Sequence, residues 1–257
     1  MTTNSLTTYV YRTITTISIV VLTLSTASGQ TFSKETFEIN RNIYDAILNH
    51  PFLKEMQAGS LDREIFGAYL VQDAHFLRGF AQALRITASK APKSEWAQFL
   101  QKDADTAMTE ERRLHDSVLG TYGISSEEVA QTELSPAAFA YVNYLLTTAH
   151  ERPFSEAIAA LLPCYWLYWE IGKALAEHGS PEPTYQQWID TYSSQSYGST
   201  VERILAMTDE TANQEDQKTR LAMQKHFSLG SRYEWMFWDA AYHKRGWPLQ
   251  GMKKPTE

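Results

Sequence analysis

The sequence predicts a single all-α domain, a helical bundle, and three observations point there. From Phe32 onward apolar residues recur at spacings of three and four almost everywhere, the period of an amphipathic helix. No apolar/polar alternation flanked by hairpin turn residues occurs, so strands are not expected. No fixed-period repeat and no Pro/Gly/Ser linker divides the chain.

The elements follow in order. Phe66, Tyr69, Leu70, Asp73, Phe76, Leu77, Phe80 and Leu84 form one stripe, with Ser60 as expected N-cap ahead of Asp62 and Glu64. Trp96, Leu100, Ala104, Ala107, Leu114 and Val118 form a second, ending at Gly120 and Gly123. Ser125 with Glu128 makes a capping box for a short helix. Ser135 before Pro136 opens a helix through Tyr141, Tyr144 and Leu145. After Pro153 a stripe of Phe154, Ile158, Leu161, Tyr165, Tyr168 and Gly172 runs toward Gly179. Thr184 with Gln187 is expected to cap a helix holding Trp188 and Tyr192, with Pro181 and Pro183 in the loop before it. A last helix from about Glu215 to Lys244 carries Met223, Phe227, Gly230, Glu234, Phe237 and Ala241. The expectation is roughly eight helices, with sites built from inward-facing side chains.

Composition narrows the function. The 257 residues include 7 Trp, 14 Tyr and 11 Phe, enough aromatic material to exclude a disordered or low-complexity chain. With 23 basic and 30 acidic residues the net charge is −7, which argues against nucleic acid as a partner. The single cysteine, Cys164, excludes an internal disulfide and a Cys-based zinc site. No Gly-x-Gly, P-loop or Gly-x-Ser-x-Gly pattern occurs, and no Glu-x-x-His pair suggests a di-metal bundle. His75 beside Asp73 reads as an ordinary helix histidine, since adjacent helical positions face different ways. No metal is expected.

Residues 1–30 differ from the remaining 31–257. They hold no acid, one base (Arg12), an apolar stretch from Ile14 to Leu24, and small residues Ala27, Ser28 and Gly29. The stretch falls short of the about 20 apolar residues of a membrane span. It reads as a signal peptide, implying export to a periplasmic or secreted location, or else as a disordered leader on a cytoplasmic protein.

Several inward-facing groups are anomalous. Asp73 lies on a stripe of aromatic and aliphatic residues, where a carboxylate needs a functional role or a structural ion pair. Glu234 repeats this between Phe227, Gly230, Phe237 and Trp238; it is either a proton donor of raised pKa or a rim residue paired with Arg232 or Arg245. Cys164 is either a small buried hydrophobe or a nucleophile activated from elsewhere in the fold. Tyr141, Tyr144, Tyr165, Tyr168 and Tyr192 are core residues or the polar lining of a pocket for a flat ligand.

The segments carrying these anomalies resemble a known family. Tyr69-Leu-Val-Gln-Asp73, Leu161-Leu-Pro-Cys164-Tyr-Trp-Leu-Tyr168, Trp188-Ile-Asp-Thr-Tyr192, Arg232-Tyr-Glu234-Trp-Met-Phe237-Trp238 and Gly246-Trp247-Pro248 are similar, in order, to the TenA/thiaminase II family. The resemblance spans about Phe37 to Pro248 and implies a haem-oxygenase-like helical fold, no cofactor and a homotetramer. It implies release of ammonia from 4-amino-5-aminomethyl-2-methylpyrimidine, with thiamine as a second substrate. By that resemblance Cys164 is the nucleophile and Glu234 the proton donor. Asp73 would take the amino edge of the pyrimidine, Tyr168 and Tyr192 would position it, Tyr141 would stand close to the nucleophile, and Phe237 would pack on the ring. At Phe76 many family members carry a tyrosine that supports the cysteine. Two other readings stand beside this one: a pyrimidine- or thiamine-binding protein without turnover, and a different small-molecule enzyme on the same fold, such as a haem or quinone-precursor oxidase, which would need a histidine aimed into the cavity.

Overall fold

A computed structural model describes residues 30–113 and 122–248. Residues 1–29 of the expected leader and the end of the second stripe from Leu114 to Gly120 lie outside the described residues. Among the described residues there are eleven helices and no strand: α1 (Phe32–Ile39), α2 (Arg41–Leu48), α3 (Pro51–Ala58), α4 (Arg63–Ser89), α5 (Ser94–Arg113), α6 (Ser126–Gln131), α7 (Pro136–Glu151), α8 (Phe154–Ala176), α9 (Pro183–Ser193), α10 (Gln195–Gln214) and α11 (Gln217–Tyr242). None of them is long and apolar enough to cross a membrane.

The all-α expectation holds, and four details differ. First, α4 is capped by Asp62, whose carboxylate accepts from the Glu64 N–H at 2.8 Å. Ser60 instead closes α3, its N–H returning to the Glu55 carbonyl at 2.8 Å after Gly59 turns left-handed at φ 72°. Second, α9 begins on Pro183 at its first position behind Glu182, so Thr184 and Gln187 form no capping box. Third, α10 fills a stretch to which the periodicity assigned nothing. Its buried face alternates Val201, Ile204 and Met207 with Thr208 and Thr211. Those threonines hide their polarity by donating to the carbonyls four residues back, at 2.9 and 2.7 Å, so a buried stripe looks half polar in the sequence. Fourth, α11 runs from Gln217 to Tyr242, slightly inside the expected bounds, behind an Asp216 cap. Ahead of the Phe66 stripe, where the sequence reading names no separate element, stand three short helices, broken at Asn40 and before Pro51. These account for eleven helices against the expected eight.

α8 is the central element. It is buried on nearly every face and packs on α11, α9 and α10, while α4 lies along α5 and α7. Two glycines set its distances. A Cβ at Gly230 of α11 would come within 2.8 Å of Pro163 Cγ and 3.2 Å of the Ala160 carbonyl, so only glycine lets α11 cross α8 there. That crossing puts Glu234, one turn on, beside the turn holding Cys164. A Cβ at Gly172 would meet the Tyr192 backbone at 2.6 Å, so its absence lets the end of α9 settle on α8 and carry Tyr192 inward.

Candidate active site

Asp73, Phe76, Cys164, Tyr168 and Tyr192 line one cavity of about 320 Å³ between α4, α5, α8, α9 and the start of α10. Among the described residues its wall contains no lysine, arginine or histidine. Asp73 is only 7% exposed and, among the described residues, has no hydrogen-bond or ionic partner. Burial alone raises its pKa to about 7. The ion-pair alternative for Asp73 therefore finds no partner in the fold.

Glu234 and Tyr141 stand behind the cavity wall. Glu234 is 2% exposed and accepts a 2.6 Å hydrogen bond from the Tyr141 hydroxyl. Burial raises its pKa to about 8 against that hydrogen bond, and the charge of Asp73 adds to the rise. The alternative of a rim pair with Arg232 or Arg245 is not realised, since Arg245 pairs with Asp239 at 3.1 Å. At neutral pH most Glu234 carries a proton, the state a proton donor needs.

Cys164 is half-buried in the cavity wall. Its thiol pKa is pushed well up, first by burial and then by the negative charges of Glu234, Asp73 and Asp103. All three carboxylates thus act on the sulfur. An apo site of this kind holds the cysteine as thiol, and its reaction requires the proton to move as the new bond forms.

Phe76 and Phe237 divide the roles expected of them. Phe76 is in the cavity wall, its ring 5.0 Å from Tyr141 and 5.7 Å from Phe237. Phe237 sits behind Phe76 and lines a separate groove with Tyr122 and Trp247. Of the eight residues singled out in the sequence, five face the cavity directly and three back it.

The structure adds Asp103, Trp188 and Tyr197 to the wall. Asp103 accepts the Tyr165 hydroxyl, and Tyr197 donates to the carbonyls of Cys164 and Tyr165 at 3.3 and 3.2 Å. Asp103 had a signal: it lies beside Leu100 and Ala107 on the apolar side of α5, as Asp73 does on α4. Tyr197 had none, because α10 escaped notice. Among the described residues no group of three metal-ligating side chains occurs.

Comparison with known proteins fits this arrangement. The model of the TENA/THI-4/PQQC family matches residues 39–244. The chain belongs to that family. An aminopyrimidine aminohydrolase of Bacillus subtilis is 31% identical over 226 residues, covering 88% of this chain and 96% of the relative. Among solved structures, the TenA homologue from P. horikoshii OT3 superposes with a TM-score of 0.77 at 27% identity, covering 83% of this chain and 99% of that one. A domain from Shewanella denitrificans described as having a heme oxygenase-like fold, 15% identical, superposes at TM-score 0.66 over 82% of this chain and 91% of its own, and shows the fold alone. This TenA-family chain is a haem-oxygenase-like bundle and a hydrolase.

Proposed function

We propose that the cavity hydrolyses 4-amino-5-aminomethyl-2-methylpyrimidine to the 5-hydroxymethyl pyrimidine and ammonia, and cleaves thiamine by the same route to that pyrimidine and its thiazole. The observation that carries this reading is Asp73: a buried carboxylate without a partner among the described residues, facing the same cavity as a cysteine. A ligand with a donor edge satisfies it, and a 4-aminopyrimidine presents one.

The residues take the following parts. Asp73 accepts from the 4-amino group and holds the ring edge. Tyr168 and Tyr192 position the ring by their hydroxyls, and Phe76, backed by Phe237, packs beside it. The Cys164 sulfur forms a bond to the ring carbon next to C5, and its thiol proton passes to a ring nitrogen. The electron pair so released expels the C5 substituent: the amine, made an ammonium by the Glu234 proton, leaves as ammonia, and the thiazolium of thiamine leaves as neutral thiazole without taking a proton. Water then adds to the exposed methylene, returning a proton to Glu234. Finally the carbon–sulfur bond breaks, the ring proton goes back to sulfur, and the aromatic ring is restored. Tyr141, bonded to Glu234, fixes the direction in which the proton is delivered.

Ammonia release from the aminopyrimidine, with thiamine in parallel, tests the reading. Turnover of the aminopyrimidine is expected; absence of turnover with both compounds would overturn it. Two further parts of the proposal concern the whole molecule. The resemblance and the exposed Leu221, Leu229 and Met236 along α11 support a homotetramer, which light scattering would show as four times the chain mass. The acid-free, apolar first thirty residues support export, and mature protein from the native host should then begin near residue 30.

A further inference from the structure

The pyrimidine edge accounts for Asp73 and leaves a second carboxylate in the cavity wall unexplained. Asp103, on α5, is half-buried, and among the described residues its one polar partner is the neutral Tyr165 hydroxyl. Arg85 is paired with Asp105, and Arg203 lies over the Phe99 ring. Tyr165 is the residue after Cys164, and the Asp103 charge reaches the Cys164 sulfur. Asp103 and Cys164 line the same cavity, so a ligand bonded to that sulfur shares the cavity with Asp103.

We propose that Asp103, oriented by Tyr165, is a specificity-determining residue that holds the positive charge on the C5 substituent of the substrate. The proposal rests on the pyrimidine reading and deepens it. Both substrates named there carry such a charge, a primary ammonium in one and a thiazolium in the other. A half-buried carboxylate with no cation of its own is completed by either. Phe80, Trp188 and Tyr197 line the same cavity and supply aromatic surface on which a cation can rest. The hydroxymethyl product is neutral at C5, so cleavage removes the contact and favours release.

The test compares two pyrimidines that differ in this charge. Dissociation constants for the 5-aminomethyl and 5-hydroxymethyl compounds are measured by calorimetry on Cys164→Ser protein, which prevents turnover. With Asp103 intact, the cationic compound should bind about tenfold tighter than the neutral one. Asp103→Asn, which still accepts the Tyr165 hydroxyl, should bring the two to within about twofold. That loss should fall on the cation alone, and Asp103→Glu should restore the preference. Binding of both compounds with a preference that Asp103→Asn leaves intact, or an equal loss for both, overturns the role of Asp103 alone. Failure of both compounds to bind the Asp103-intact protein overturns the pyrimidine reading and this assignment together.

Discussion

Glu234 and Asp239 lie five residues apart on α11 and show opposite treatments of a carboxylate. Asp239 is 13% exposed and ringed by Arg245 at 3.1 Å, His243 at 3.4 Å and His50 at 3.6 Å. It ties the end of α11 to the start of α3, where His50 also caps the helix by accepting the Phe52 N–H at 3.2 Å. Among the described residues Glu234 has no cation and two neutral partners, the hydroxyls of Tyr141 and Tyr168. The same helix thus uses one acid to hold the fold and exposes it to water and bases. It buries the other among aromatic rings, at a cost in stability that only chemistry or a ligand explains.

The largest expected effects separate these two uses. Cys164→Ser should lower turnover by at least about 10³-fold, since an alcohol replaces the thiol nucleophile, and Glu234→Gln by about 10²–10⁴-fold through loss of the donated proton. Both variants should fold as wild type, and Glu234→Gln should be no less stable. Rate measurements at saturating aminopyrimidine check this. Near wild-type turnover in Cys164→Ser would remove the sulfur from the mechanism.

The buried acids also set the response to pH. Folded pKa values of about 7 for Asp73 and about 8 for Glu234 lie above the ordinary 3.8 and 4.5. The folded state therefore binds these protons more tightly than the unfolded chain. Their contribution is fully present below about pH 4 and is lost as pH rises through 7 and 8. His50, whose pKa burial lowers from 6.5, works in the opposite sense at lower pH, so the clean window is pH 7 to 9. Across it the urea midpoint should fall by an amount worth on the order of 2 kcal/mol. Asp73→Asn combined with Glu234→Gln should flatten that fall, and an equal fall in the double variant would place its origin elsewhere.

Asp239→Asn should give the converse of Glu234→Gln. Removing the charge that three bases surround should cost about 1–2 kcal/mol in chemical denaturation while aminopyrimidine turnover stays within about twofold. A large loss of turnover with unchanged stability would erase the distinction between the two acids.

How much of this the sequence made legible follows from the same physics. Asp73 and Glu234 stood out because each interrupts a strongly apolar helical stripe, and Cys164 because it is the single cysteine; the fold places all three in or directly behind one cavity wall. Their partners were not legible: no spacing within one helix tells that Tyr141 of α7 reaches Glu234 of α11. Helix α10 was invisible because Thr208 and Thr211 satisfy their hydroxyls on their own backbone and pack as if apolar. Asp103 was passed over although it sits beside an apolar stripe, because α5 as a whole is polar and a single acid on it draws no notice.

The smallest expected effect concerns Phe76, where the cavity and the backing layer meet. Its ring lies 5.0 Å from Tyr141, whose hydroxyl is bonded to Glu234. A hydroxyl added at position 76 would enter the same polar layer and give the Cys164 proton a second place to go. The thiol is held protonated by burial and by three carboxylates, so a nearby acceptor of its hydrogen bond lowers the cost of forming the bond to substrate. Phe76→Tyr should therefore raise kcat for the aminopyrimidine by a few-fold, at most about tenfold, with KM little changed. A rise confined to KM would mean that the new hydroxyl touches substrate rather than the sulfur. A fall in kcat would mean that Phe76 serves by packing, holding Tyr141 against Glu234 with an apolar ring that tolerates no polar edge.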